Sequence, residues 1–253
     1  MNPGLTAYLI VCPLVFLSGV VDAIGGGGGI ISLPAYLLAG LPPQLAIGSN
    51  KLSSAVGTTV STAIFVRRGF VDMKPALFFI ASALAGAALG ARLTLMVPDD
   101  ILRYGLLVVL PIVALVVFKR KDFALTKKEA EHPRFALALF FAFIIGMYDG
   151  FYGPGTGTFL ILSLTGVAGY AIHHAVGYTK VINLSSNVSS LIVFLANGRV
   201  VIPLAGAAII FSVAGQYIGA KLVLRDGQKI VRPVIVIVLL LLFIKVFYDT
   251  VIS

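Results

Sequence analysis

Apolar residues occur along the chain in long runs, separated by short polar or glycine-rich segments. A helix needs about 20 apolar residues to cross the ~30 Å hydrocarbon core of a bilayer. Three runs reach or approach that length: residues 76–95, 204–223 and 231–247. Somewhat shorter runs occupy residues 5–21, 52–66, 101–118, 135–147 and 181–196. The pattern therefore predicts several transmembrane helices.

Two further apolar runs, residues 30–41 and 158–168, are too short to cross a bilayer as helices. Each follows a glycine-rich break, at residues 25–29 and 153–157. We expect these segments to be half-helices or re-entrant segments, each preceded by a stretch of unwound backbone.

The two halves of the chain repeat each other. The matched positions are Gly48 with Gly177, Lys51 with Lys180, Gly86 with Gly215 and Gly90 with Gly219, all 129 residues apart, and Asp22 with Asp149, 127 residues apart. A repeat of this length is too long for a solenoid unit and fits the duplicated bundles of secondary transporters.

Charge in the loops indicates how the two copies are oriented. Residues 67–74 are basic, whereas the equivalent residues 197–203 contain only Arg199. Residues 97–100 are acidic, whereas the equivalent residues 224–229 are basic. Because cytoplasmic loops carry an excess of Lys and Arg, equivalent loops are expected on opposite sides of the membrane. Parallel repeats are the alternative.

We therefore predict an all-α polytopic membrane protein made of two inverted repeats. Each repeat is a broken or re-entrant helix hairpin followed by three transmembrane helices. The first repeat covers residues 1–118, a basic cytoplasmic linker covers residues 119–134, and the second repeat covers residues 135–253. Both termini are then non-cytoplasmic, which agrees with the absence of Lys and Arg from the first 50 residues.

Composition supports the membrane class. The chain is 59% hydrophobic and 11% charged, against about 45–50% and about 25% in soluble domains, and its mean hydropathy is +1.04. These values exclude a soluble enzyme, a nucleic-acid-binding domain and a disordered chain. The net charge of +9 is interpreted as cytoplasmic loops, with no nucleic-acid partner. The single cysteine permits neither an intrachain disulfide nor a cysteine-based metal cluster.

Four segments together resemble a known family. They are the glycine-rich break after Asp22, the turn Gly48-Ser-Asn-Lys51, the stretch Tyr148-Asp-Gly-Phe-Tyr-Gly-Pro-Gly-Thr-Gly157, and Gly177-Tyr-Thr-Lys-Val-Ile-Asn183. The chain resembles, over nearly its whole length, the sulfite exporter TauE/SafE family of bacterial and plant permeases. The resemblance implies a multi-pass carrier in the bacterial inner (plasma) membrane, with sulfite, sulfoacetate or related organosulfonates as substrates.

The glycine-rich breaks are candidate anion sites. Unwound backbone inside a bilayer must be buried in protein or line a water-filled cavity, and its free N–H groups at a helix N-terminus attract anions. The candidate substrate-binding residues in the two breaks are Gly27, Gly28, Gly29, Gly155, Thr156 and Gly157. Close helix packing through small residues is the alternative.

Two lysines recur at equivalent positions beside polar side chains. A lysine in hydrocarbon costs at least about 2.5–3.5 kcal/mol, so Lys51 and Lys180 either have a function or extend to the interface. Polar neighbours that could share an anion with them are Ser49, Asn50, Thr179, Asn183 and Asn187. The two asparagines near Lys180 could instead bond another helix.

Asp22 and Asp149 also recur, each ahead of a glycine-rich break. We expect them to pair with a lysine or cap a helix, and a role as coupling carboxylates is the alternative. The predicted function is a secondary transporter of small sulfur-containing anions, working by alternating access and without cofactor or metal. An anion channel or uniporter, and proton- or sodium-coupled uptake of a small organic anion, stay open. No protease or hydrolase motif points to an enzyme, and a homodimer is one partner considered.

Overall fold

The computed structural model describes residues 3–102, 104–105, 108 and 132–226. Within this part of the chain, eight helices have defined bounds. They are α1 (Leu5–Gly25), α2 (Gly29–Leu38), α3 (Pro43–Arg67), α4 (Met73–Met96), α5 (Phe135–Phe151), α6 (Thr156–Gly166), α7 (Ile172–Ala196) and α8 (Ile202–Asp226). The predicted run 231–247, the linker and most of the run 101–118 lie outside the described residues.

Four of these helices, α1, α4, α7 and α8, are long and apolar enough to cross a membrane. The chain is therefore an all-helical integral membrane protein over the described residues. Helix α3 is as long as α7, at 25 residues, but most of its first half is polar or small. It can lie in a bilayer because its polar side chains are buried against other helices.

The two short helices predicted after the glycine-rich breaks are confirmed as α2, with 10 residues, and α6, with 11. Helix α1 ends at Gly26, whose φ of 71° is left-handed and favours glycine. The chain then reverses, since the Ser18 hydroxyl donates to the Gly28 carbonyl at 2.8 Å. Helices α1 and α2 thus form a re-entrant hairpin, and α5 and α6 form its counterpart.

The two breaks are in contact with each other. The Thr158 hydroxyl donates to the Gly25 carbonyl oxygen at 2.9 Å, and any side chain on Gly26 would collide with the backbone of Gly157. The hairpins therefore meet tip to tip, where each half of the chain leaves its helix.

The long helices pack across the two halves. Helix α1 runs alongside α8, and a Cβ on Gly19 would lie 2.8 Å from the Ser212 carbonyl oxygen. Helix α4 runs alongside α5, with Gly86 against Phe143 and Gly90 against Met147. Close approach through small residues is the usual way that helices associate in lipid.

Helices α3 and α7, which are equivalent in the repeat, cross each other in opposite directions. The Ser49 hydroxyl near the start of α3 accepts from the Val201 amide just beyond the end of α7, at 2.9 Å. Further along α3, the Thr62 hydroxyl donates to the Lys180 carbonyl in the first half of α7, at 3.2 Å. Residue numbers rise along one helix as they fall along the other.

One local expectation is wrong. Residues 48–51, interpreted as a turn, lie inside α3, which begins at Pro43. Proline at the first position of a helix removes no helical hydrogen bond, and the polar residues that follow are buried. Hydropathy placed the start of this helix too late because it counts a buried, hydrogen-bonded polar residue as if it faced lipid. Lys51 consequently lies about two turns inside the helix.

Candidate functional site

A polar cavity lies at the point where the two breaks meet. It encloses about 460 Å³ of empty space, part of it open to solvent. Four helices and both breaks contribute to its wall. Its lining residues are Val15, Ser18, Gly19, Asp22, Gly26, Gly28, Gly29, Ser32, Asn50, Lys51, Ser54, Thr58, Asp149, Gly153, Thr156, Asn183, Asn187, Ser212 and Gln216.

Lys51 forms an ion pair with the carboxylate that precedes the second break. Its Nζ lies 2.8 Å from Asp149 Oδ2, and the two side chains are only 2% and 4% exposed. Asp149 also accepts hydrogen bonds from the hydroxyls of Ser186, at 2.6 Å, and Thr156, at 2.9 Å. A buried carboxylate with three donors is well matched electrostatically.

Lys180 forms the equivalent pair with Asp22. Its Nζ lies 3.3 Å from Asp22 Oδ2 and also donates to the Asp22 backbone carbonyl. The Gln216 side-chain amide donates to the same carboxylate oxygen at 2.8 Å. Capping by the helix end and pairing with lysine, the two structural roles expected for the carboxylates, thus coincide at Asp22.

The pairs are crossed between the halves of the chain. Each lysine reaches the carboxylate of the other half, so the two ion pairs tie the halves together at the breaks. Lys51 and Lys180 are each 1% exposed, which excludes the alternative that they extend to the membrane interface. With two cations and two anions, the four groups carry no net charge.

Hydrogen-bond donors other than lysine also surround the cavity. The amides of Gly27, Gly28 and Gly29 have no acceptor among the described residues, and they lie at the N-terminus of α2. A Cβ on Gly153 would lie 3.2 Å from Lys51 Nζ, so the second break passes directly beside this ammonium. Amides at a helix N-terminus together with a nearby ammonium are suited to an anion.

Comparison with known proteins agrees with this architecture. The sequence profile described as "Sulfite exporter TauE/SafE" matches residues 11–246. The chain belongs to the TauE/SafE sulfite exporter family.

Curated relatives of this TauE/SafE protein are all named as transporters. It is 36% identical to "Probable membrane transporter protein ORF9" of Sinorhizobium, over 97% of this chain and 93% of the relative. It is 35% identical to YfcA of Escherichia coli strain K12, over 94% and 88%, and 31% identical to a Haemophilus influenzae relative, over 98% of both. Both bear the same description, so the chain is a membrane transporter. No solved structure matches it.

The cavity of this TauE/SafE protein collects some, but not all, of the residues predicted from the sequence. Asn50, Asn183, Asn187 and Thr156 line it, as do Gly28 and Gly29, while Gly27 lies in the same break. Asn187 donates to Asn183 Oδ1 at 3.1 Å, so the two asparagines bond each other within α7.

Other predicted residues lie away from the cavity wall. The Ser49 hydroxyl is occupied by the Val201 amide. Thr179 is fully buried, and its hydroxyl has no partner among the described residues. Gly157 packs against Gly26. Gly155 ends the second break with a left-handed φ of 80°.

Sequence reasoning missed several residues of the site. Gln216 and Ser212 lie on α8, within a run that was interpreted only as a packing helix. Two polar residues on one face of a membrane helix were the available signal. The other missed polar residues, Ser18, Ser32, Ser54, Thr58 and Ser186, are common helix residues in membrane proteins and carried no distinguishing pattern.

Proposed function

We propose that this protein exports small sulfur-containing anions, sulfite or organosulfonates, by alternating access of two inverted repeats. The observation that carries the proposal is the crossed pair of buried lysines at the meeting point of two broken helices. Intramembrane charges are costly and usually mark a transport pathway, and broken helices that meet between repeats form the substrate sites of many secondary transporters.

Helix directions support the inversion. Equivalent helices run parallel when repeats are related by an axis along the membrane normal, and antiparallel when the axis lies in the membrane plane. The contacts of Ser49 with Val201 and of Thr62 with Lys180 make α3 and α7 antiparallel. On this arrangement, the basic loop at residues 67–74 lies on the cytoplasmic side.

Lys51 is the lysine best placed to meet an anion. It lines the cavity, whereas Lys180 lies behind Asp22. Since the four charged groups are already neutral together, an anion must compete with Asp149 for the Lys51 ammonium. It gains the free amides of Gly28 and Gly29 as further donors. Exchange of a carboxylate for a substrate anion would loosen one tie between the repeats and so couple binding to movement.

Direction follows from the membrane potential. An inside-negative potential favours the exit of anions by about 2.3 kcal/mol per charge per 100 mV, so export needs little coupling.

The test is tracer flux in proteoliposomes with sulfite, organosulfonates, sulfate and carboxylates. Lys51→Ala and Lys180→Ala are expected to lower sulfur-anion flux more than tenfold, because each removes the buried positive charge that the anion needs. Lys74→Ala is the matched control, since Lys74 is an exposed lysine near the start of α4, and it is expected to retain wild-type flux.

Wild-type flux in well-inserted Lys51→Ala and Lys180→Ala proteins would contradict the proposal. Saturable flux with counterflow is expected for a carrier, whereas flux without counterflow would instead indicate a channel. Preference for carboxylates over every sulfur anion would refute the substrate assignment alone.

A further inference from the structure

Gln216 carries a hydrogen-bond acceptor that nothing in the described part of the chain satisfies. This residue is 2% exposed and lines the cavity from α8. Its Nε2 donates to Asp22 Oδ2 at 2.8 Å, while its Oε1 is buried and has no partner. Leaving a buried acceptor unpaired is costly, so most such groups in proteins meet a donor.

The orientation of this amide is fixed by its neighbour. If the two ends of the amide were exchanged, the oxygen would face the Asp22 carboxylate at hydrogen-bond distance, and two acceptors would repel each other. Nε2 must therefore face Asp22, and Oε1 must face away from it. Asp22 adds to this acceptor character, because every donor recorded on its side chain reaches Oδ2.

The cavity thus has two chemically different ends. Around Lys51 it offers an ammonium and free amides, which suit an anionic group. Around Gln216 and Asp22 it offers acceptors, which suit a donor. The repeat provides no second acceptor of this kind, since the position 129 residues before Gln216 is Ala87. A ligand with different ends would therefore bind in one orientation.

We infer that the transported anion carries a hydrogen-bond donor, a hydroxyl or an N–H, and that Gln216 Oε1 receives it. This deepens the proposed function and rests on it, because the anionic end of the ligand is assigned to Lys51. Gln216 then acts as a specificity-determining residue, and it distinguishes hydroxylated anions from their alkyl analogues. A site that hydrogen-bonds a substrate group discriminates against a ligand that lacks it, because the buried partner is left unpaired.

The experiment compares pairs of anions that differ only by a hydroxyl in place of a methyl group. The pairs are 2-hydroxyethanesulfonate with propane-1-sulfonate, and glycolate with propionate. Flux of each is measured in proteoliposomes of the full chain. In the wild type, we expect kcat/KM to favour the hydroxylated member by about tenfold, in at least one pair.

In Gln216→Met the preference is expected to fall to near unity, because methionine has similar length but no strong acceptor. Gln44→Met is the matched control. Gln44 is also a buried glutamine with an unpartnered Oε1, but its Nε2 donates to the Val97 carbonyl at 2.9 Å, outside the cavity. That variant is expected to keep the wild-type preference, even if its overall flux falls.

The outcomes separate the two proposals. Equal transport of both members of each pair by the wild type would overturn the role of Gln216 while leaving anion transport intact, and this comparison needs no variant. An undiminished preference in Gln216→Met would overturn it as well. No flux of any sulfonate or carboxylate, alongside sulfite flux, would restrict the site to inorganic anions and also reject the inference. Failure of every anion to be transported would overturn the proposed function itself.

Discussion

Neutralising one partner of the Lys51–Asp149 pair is expected to destabilise the protein far more than replacing both partners. In Asp149→Asn the Lys51 ammonium stays buried, with its side chain 2% exposed, and loses the carboxylate that lies 2.8 Å away. Lys51→Met leaves the opposite charge, although the Ser186 and Thr156 hydroxyls still stabilise the Asp149 carboxylate. Asp149→Asn is therefore the more damaging single substitution.

The size of the effect follows from burial. Removing one partner of a buried ion pair costs about 3–5 kcal/mol, whereas replacing both with apolar residues is often close to neutral. For a chain of this size, each kcal/mol shifts the unfolding midpoint by about 2–4 °C. Asp149→Asn is then expected to lower the midpoint by roughly 6–20 °C, and Lys51→Met/Asp149→Leu is expected to recover most of that loss.

The only cysteine in the chain makes the measurement direct. Cys12 is buried in α1, at 7% exposure, so a thiol-reactive fluorophore reports its exposure as detergent-solubilised protein is heated. The same four proteins are then assayed for anion flux. The double variant is expected to be folded but inactive, because it lacks the ammonium that the anion requires.

Additive losses in the double variant would show that the pair does not interact, and would refute the reasoning from burial. Restored flux in the double variant would show that Lys51 serves only the fold. The equivalent Lys180–Asp22 pair provides an internal comparison. Its 3.3 Å separation and its more exposed carboxylate, at 11%, predict smaller losses.

Two further predictions test the breaks and the topology. Gly26→Ala is expected to abolish folded protein on size-exclusion chromatography, because the methyl group would overlap the partner hairpin; Gly40→Ala has a similarly positive φ but open space around it, so it should lose only about 1–2 kcal/mol. Equal behaviour of the two would contradict the contact between hairpins. Cysteines placed at Lys74 or Asp100, both exposed, in a Cys12→Ser background should react with an impermeant maleimide only from the cytoplasmic and the outer side, respectively; labelling of both from one side would refute inverted repeats.

The amino-acid pattern went a long way for this protein. The glycine-rich breaks, the two short helices that follow them, and the recurring Asp22, Asp149, Lys51 and Lys180 were all recognised from composition and spacing. Such features are visible because they violate the rules for a plain membrane helix, which needs apolar length and continuous hydrogen bonding. The start of α3 was misjudged for the same reason, since polar residues there are buried by other helices.

Sequence alone therefore determined which residues are unusual, but not what they meet. Either lysine could have paired with the carboxylate of its own half, and periodicity within one helix carries no information on that choice. Packing of the two halves made the pairs cross, removed Ser49 and Thr179 from the cavity wall, and brought Gln216 from a distant helix to Asp22. Contacts between residues more than 100 positions apart depend on how whole helices approach each other, and only the tertiary structure decides that.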